Sequence, residues 1–298
     1  EKKRTKLLQK LGFLAGFLEE GETVVFVTTG CSPFSTVEQL TIGHLWIMAI
    51  KRALFVFTNR RILHIPTTGQ YEYRGSIAQI LYQDCRRLYV KGSALRAEYL
   101  TGKTESFLGI PGPDRATIQR LDDVEALDRA TIQRLDIVAP EPAEPSDCPE
   151  RNHLCPSCAQ VLAPQTAACP ACGQAFKTAA AAVKYSLLLP GGGYFYARRW
   201  VLGVVDAIAE TYLLLIALVA LVGAALGNPQ AVPVLALFGL LLVIEKVITI
   251  YHAKKFIAEF IPRDPHAVQP PRRAPSDPYA ASSAAERTQT LEQLLSVR

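Results

Sequence analysis

The residues best suited to chemistry are the cysteines of CPSCAQVLAPQTAACPACG, residues 155–173. Their spacing, Cys-x2-Cys-x10-Cys-x2-Cys, sets Cys155, Cys158, Cys169 and Cys172 as two pairs. Each pair sits on a tight turn that presents two thiolates to one centre, and Zn2+ takes four such ligands in a tetrahedron. The spacing therefore predicts a closed, structural Zn2+ site. Pro156 and Pro170 stiffen the two turns, and Gly173 supplies an open backbone after the second pair. Two redox pairs or unliganded thiols are the alternative, which the paired spacing disfavours. A catalytic zinc is disfavoured too, because four thiolates leave no open position. Cys148 and His153 lie nearby but are not needed to complete the site.

A second set of candidate residues lies in apolar sequence. Asp206 and Glu210 stand one helical turn apart within a long hydrophobic run, and Lys246 lies in another. Acids inside a membrane are usually paired. Folding the two runs about Asn228 and Pro229 brings Glu210 level with Lys246, and Asp206 level with Tyr251 and His252. The expectation is a Glu210–Lys246 pair, with Asp206 near His252. Arg60, Arg61, Arg198, Arg199 and Trp200 are candidate lipid or partner contacts: cations suit phosphate, and Trp suits the membrane interface. No catalytic set emerges, since His44 and His64 are isolated and no Ser-His-Asp arrangement is evident. Nucleic-acid binding by the cysteine segment is disfavoured, because AQVLAPQTAA, between Cys158 and Cys169, has no Lys, Arg or aromatic residue.

These residues need elements to position them. The chain has 298 residues, 49% hydrophobic and carrying a net charge of +5, with the hydrophobic residues unevenly placed. That mild positive charge fits anionic lipid or nucleic acid and selects neither. Seven cysteines, an odd number with four in tight pairs, argue against a secreted disulfide framework and for a reducing compartment. Residues 1–21 read as an amphipathic lead-in helix rather than a signal peptide, because LEEGE follows the short apolar run. Residues 22–110 alternate strand-like runs (TVVFVTT, ALFVF, RILHIP, IAQILY, RRLYV, ALRAEYL, TESFLGI) with turn-forming breaks, which predicts a small antiparallel sandwich or barrel. A helix follows from PGPD, lengthened toward residue 138 by a repeat, DRATIQRLD at 114–122 and again at 128–136. Residues 139–152 read as a Pro- and acid-rich linker, and 153–176 as the metal module.

Apolar runs at about 201–226 and 233–252 are each long enough to cross ~30 Å of hydrocarbon, and GNPQAVP between them allows only a tight turn. A two-helix transmembrane hairpin over 185–258 follows. Lysines and arginines flank both ends, so the positive-inside rule faces both termini to the cytoplasm, in agreement with reduced thiolates. The expected location is the inner membrane of a bacterium. Residues 259–298 read as a mostly disordered tail.

Three resemblances add to this reading. The order of strands with FTNRRILHI at 57–65 resembles bacterial pleckstrin-homology (PH) and GRAM-like domains over roughly residues 20–122. CPSC and CPACGQAF resemble zinc-ribbon knuckles, with Ala159 where Gly is usual. PGGGYFY with RRW and a later Gly is similar to small two-helix membrane-hairpin families. The first resemblance implies binding of lipid head groups or protein partners. The expected whole is a multidomain α+β membrane protein: a PH-like antiparallel sandwich with a C-terminal helix, a small zinc ribbon and the hairpin. Its expected role is a non-enzymatic, anchored binding or scaffolding protein, in contact with membrane lipid and an unidentified protein and able to form a homo-oligomer. The alternative is an accessory subunit of a transporter or channel, acting through the hairpin carboxylates.

Overall fold

A computed structural model of the chain describes residues 12–122, 149–264, 268 and 271. These fall into two compact units, the first holding residues up to 163 and 169–174, the second holding 164–168 and 175–264.

In the first unit all seven strand-like runs form strands. β1 (Val24–Cys31), β2 (Arg52–Thr58), β3 (Arg61–Pro66) and β4 (Ile77–Leu81) are consecutive antiparallel neighbours. β5 (Cys85–Lys91), β6 (Ala94–Tyr99) and β7 (Thr104–Phe107) form a second antiparallel sheet. Successive side chains of a strand point to opposite faces. Phe55, Phe57, Ile62 and Ile80 therefore meet Leu95, Ala97, Tyr99 and Phe107 of the second sheet. Leu54, Val56, Leu63, Ile65 and Ile77 point the other way and are covered by Leu14, Phe17 and Leu18. With both faces covered, β2 and β3 are apolar almost throughout rather than alternating.

The lead-in departs from expectation. Gly12–Gly16 forms a single 3-10 turn, since glycines at both ends weaken a helix. Its apolar residues are not an amphipathic face but a lid on the sheet, each buried side chain contributing roughly 1.5–3 kcal/mol. Residues 1–11 lie outside the described part.

The β1–β2 connection is not a hairpin turn. It holds two short helices, α1 (Thr36–Ile42) and α2 (His44–Ile50). Ser35 and Glu38 form a reciprocal capping box at the start of α1, which the sequence S-T-V-E specifies. After β7, α3 (Gly112–Asp122) packs Ile118 into the core, and the Thr28 hydroxyl donates to Asp114 at 2.7 Å. The expected lengthening of this helix, with the second DRATIQRLD copy, lies outside the described residues.

The end of the expected linker is folded. Arg151 pairs with Glu105 of β7 at 2.9 Å. Asn152 opens β8 (Asn152–Leu154), which pairs with β4, and β9 (Val161–Leu162) pairs with β8. The first cysteine turn thus continues the first unit's larger sheet.

The second unit is helical: α4 (Ala179–Leu188), α5 (Gly192–Tyr196), α6 (Trp200–Ala225) and α7 (Ala231–Ile257). α6 and α7 are long and apolar enough to cross a membrane, with mean hydropathy of 2.2 and 2.3 over their most apolar windows. The expected spans lie within them to a few residues. Gly227–Gln230 makes the turn between, and Pro233 falls in the first turn of α7, where its missing N–H costs nothing. The first residues of the expected tail are folded. Phe260 and Ile261 are buried, and Pro262 pairs with Phe176, so 259–264 belong to the folded unit.

The glycines ahead of α6 are packing requirements. A Cβ at Gly191 would lie 2.2 Å from the Gly203 carbonyl oxygen, and one at Gly193 would lie 2.1 Å from the Ser186 hydroxyl oxygen. Gly191 also has φ +66°, the left-handed region that glycine enters without strain.

Candidate functional site

The four cysteines converge. The Cys155 and Cys172 sulfurs are 3.5 Å apart, Cys158 and Cys169 are 3.6 Å apart, and all four lie within 4.8 Å of one another. A tetrahedron with metal–sulfur bonds of ~2.3 Å has sulfurs ~3.8 Å apart. A disulfide would bring two of them to ~2.05 Å. The separations fit a metal ion and not a disulfide, and all four thiols are free.

The two turns are near copies. In the first, Ala159 N–H donates to the Cys155 carbonyl at 2.9 Å, and Cys155 N–H donates to the Gln160 carbonyl at 2.8 Å. In the second, Gly173 donates to Cys169 and Cys169 donates to Gln174, both at 2.9 Å. The Ser157 hydroxyl donates to the Gln174 side chain at 3.1 Å, tying the turns together. Each turn ends on a left-handed residue, Ala159 at φ 59° and Gly173 at φ 73°.

The hairpin carries the second cluster. Lys246 forms an ion pair with Glu210 and donates to the Ser186 carbonyl. Glu210 also accepts from the Gly191 N–H at 3.2 Å and is fully buried. The expected Glu210–Lys246 pair is present. Asp206 meets the Thr249 hydroxyl at 3.1 Å, one helical turn from His252, whose Nδ1 lies 2.6 Å from the Tyr194 hydroxyl. Sequence reading missed Glu245, whose carboxylate accepts from Thr249 at 2.7 Å and which groups with Asp206 and Glu210. Its i, i+4 spacing from Thr249 was the available signal.

The basic candidates separate. Arg61 is buried, with Nε and Nη2 bidentate to Glu22 at 2.9 and 2.7 Å. Nη2 also donates to the Phe17 carbonyl at 2.9 Å, and Nη1 donates to Gln79. Burial opposes ionisation of Glu22, but the Arg61 guanidinium outweighs it and holds that carboxyl below its usual range. Arg61 is an internal strut, not a lipid contact. Strand parity explains why: it shares a face with Leu63 and Ile65. Arg60, in the turn, remains half-exposed beside Glu19. Arg199 is buried with its guanidinium 4.6 Å from the Phe256 ring centre, so it is not a head-group contact either. Arg198 is half-buried and donates to the Arg263 carbonyl at 3.2 Å, and Trp200 is exposed at the start of α6.

His64 is not isolated. Its Nε2 lies 2.9 Å from the Ser32 hydroxyl and its Nδ1 3.3 Å from Arg151, all inside the β unit. Arginine can only donate, so Nδ1 accepts and the ring proton sits on Nε2, pointing at Ser32. That is the reverse of a general base. Burial, with Arg151 and His153 adding, holds this imidazole well below its ordinary pKa.

Comparison of the chain with protein-family models, with curated proteins and with solved structures finds no match.

Proposed function

We propose that this chain is a non-enzymatic, membrane-anchored binding protein. In this reading the β unit is a PH-like recruiting domain, the four cysteines hold a structural Zn2+ as a zinc ribbon, and α6 and α7 cross a membrane with both ends in the cytoplasm. The observation that carries it is a ridge of large apolar side chains on α1 and α2. Val37, Leu40, Leu45 and Trp46 are 48%, 80%, 81% and 60% exposed. Exposed apolar patches of this kind mark interaction sites. The hairpin supports the anchor: Leu215, Leu218, Val219 and Val243 face outward, while Glu210 and Lys246 meet inside. From residue 211 to 226 there is no charge, ~24 Å of helix at 1.5 Å per residue, which leaves the ion pair just within a 30 Å core.

A photo-crosslinker replacing Leu45 in the full chain, in native membranes, tests the reading. A specific protein or lipid adduct is expected, and its absence would sink the recruiting role. Point variants serve better than deleting the first 130 residues, because β8 would lose its partner β4.

One observation favours the second reading, an accessory subunit acting through the hairpin. Asp206, Glu210 and Glu245 bring three carboxyl groups together, of which Glu210 pairs with Lys246 while Asp206 and Glu245 share the Thr249 hydroxyl. Replacing Asp206 or Glu245 by its amide would abolish transport by the host complex on that reading and leave binding untouched on the first.

A further inference from the structure

The ridge on α1 and α2 carries a sharper statement about what it binds. Its inner side is held by polar pins. Lys51 pairs with Glu38 at 2.6 Å, both nearly fully buried, and donates to the Pro33 carbonyl at 3.0 Å. Ile47 is completely buried, and Met48 lies where a Cβ on Gly109 would come within 3.2 Å. The helix pair is therefore a fixed feature that holds its largest apolar residues outward.

The outer side is uncharged. From residue 31 to 50 the only Asp, Glu, Lys or Arg is Glu38, and Lys51 neutralises it internally. Thr36, Gln39, Thr41 and His44 are the exposed polar neighbours. Leucines with a tryptophan, flanked by polar groups without a carboxylate, lysine or arginine among them, match the layer between head groups and acyl chains. A partner protein would ordinarily add charge complementarity at the rim, and this ridge offers none. On the reading that α6 and α7 span a membrane, the chain also brings its own bilayer, at a high effective concentration for any second contact.

We propose that Val37, Leu40, Leu45 and Trp46 insert into the interfacial layer of a lipid bilayer, giving the β unit a contact with that membrane independent of the hairpin. The inference rests on the membrane-anchored reading. Because the ridge is uncharged, its insertion is indifferent to anionic lipid and to salt.

The chain has two tryptophans, Trp46 and Trp200, so each can be made the sole reporter. The full chain is reconstituted, one per nanodisc, in phosphatidylcholine brominated on the upper acyl chain, as Trp200→Phe and as Trp46→Phe. The expected result is that Trp46 loses most of its emission to bromine, is shielded from iodide, and stays so when phosphatidylglycerol is added. Leu40→Asp with Leu45→Asp should abolish that quenching; quenching that persists would overturn the proposal. Quenched Trp200 with unquenched Trp46 overturns the proposal and leaves the anchor standing. Neither being quenched overturns both. Trp46 shielded from iodide but untouched by bromine assigns the ridge to a protein surface instead.

Discussion

Both units bury ion pairs, and Arg61–Glu22 in the first differs from Lys246–Glu210 in the second in how the surroundings balance it. In the β unit, Arg61 is bidentate to Glu22 and also lies 3.3 Å from Glu19, which Arg60 shares, so two cations face two carboxylates, and the other guanidinium donors reach Phe17 and Gln79. In the helical unit, Lys246 and Glu210 are matched, but Asp206 and Glu245 stand beside them around one hydroxyl, that of Thr249. The first pair is a complete strut between the lead-in and the sheet. The second belongs to a set with two further carboxyl groups, which a structural role alone does not require. The exteriors differ in the same sense. The β unit carries an apolar ridge at α1 and α2, whereas the hairpin is apolar outside and polar within.

The largest expected effect separates the units through the metal. Structural zinc in a small module supplies roughly 10 kcal/mol of folding free energy. Chelation, or Cys158→Ser, should remove hydrogen-exchange protection from β8 and β9 while the amides of α6 and α7 stay protected. Equal loss in both units would contradict a site that belongs to the sheet.

Next comes the strut. Arg61→Ala leaves Glu22 buried and unpaired, a loss of about 3–5 kcal/mol from the β unit. Arg60→Ala, one residue away and half-exposed, should cost under about 0.5 kcal/mol. Denaturant unfolding of the two variants measures the contrast, and similar losses would return Arg61 to the surface.

A pH effect of intermediate size is confined to the β unit. His64 is held well below its ordinary pKa, so between that value and about 6.5 the unfolded chain binds a proton that the folded chain does not. Its contribution is present above pH ~6.5 and lost as pH falls, at up to about 1.4 kcal/mol per pH unit. The protection factors of β3 amides, taken against the intrinsic exchange rate at each pH, should fall between pH 7 and pH 5, less so in His64→Gln.

The smallest effect compares the two cysteine turns. Ala159 adopts the left-handed conformation that its counterpart Gly173 takes freely. Ala159→Gly should raise stability by about 1 kcal/mol, seen as slower metal release to a chelator.

How legible these features were depended on range in sequence. The cysteine cluster follows from local spacing, and Glu210–Lys246 from a tight turn that fixes antiparallel level. All seven strands of the first sheet pair and its neighbour showed in composition. Arg61 did not, because its partner Glu22 lies 39 residues away, although parity with Leu63 and Ile65 pointed inward. The α1–α2 insertion follows no strand pattern, and the Ser35–Glu38 capping box is the local signal that marks its start. For Asp206 the level along the hairpin reached the right turn of α7, and the contact there is Thr249, three residues before His252. The joining of β8 to β4 is a contact between distant segments, and nothing in the linker composition announced it.

The central claim is that α6 and α7 anchor the chain in a membrane. Alkaline carbonate extraction of cell membranes tests it, with Leu218→Arg and Leu237→Arg, both on outward-facing exposed positions, as the control. Each arginine should cost about 2.5–3.5 kcal/mol of insertion. The native chain is predicted to stay with the membrane pellet and the double variant to be released; a native chain that comes off with carbonate would contradict the account.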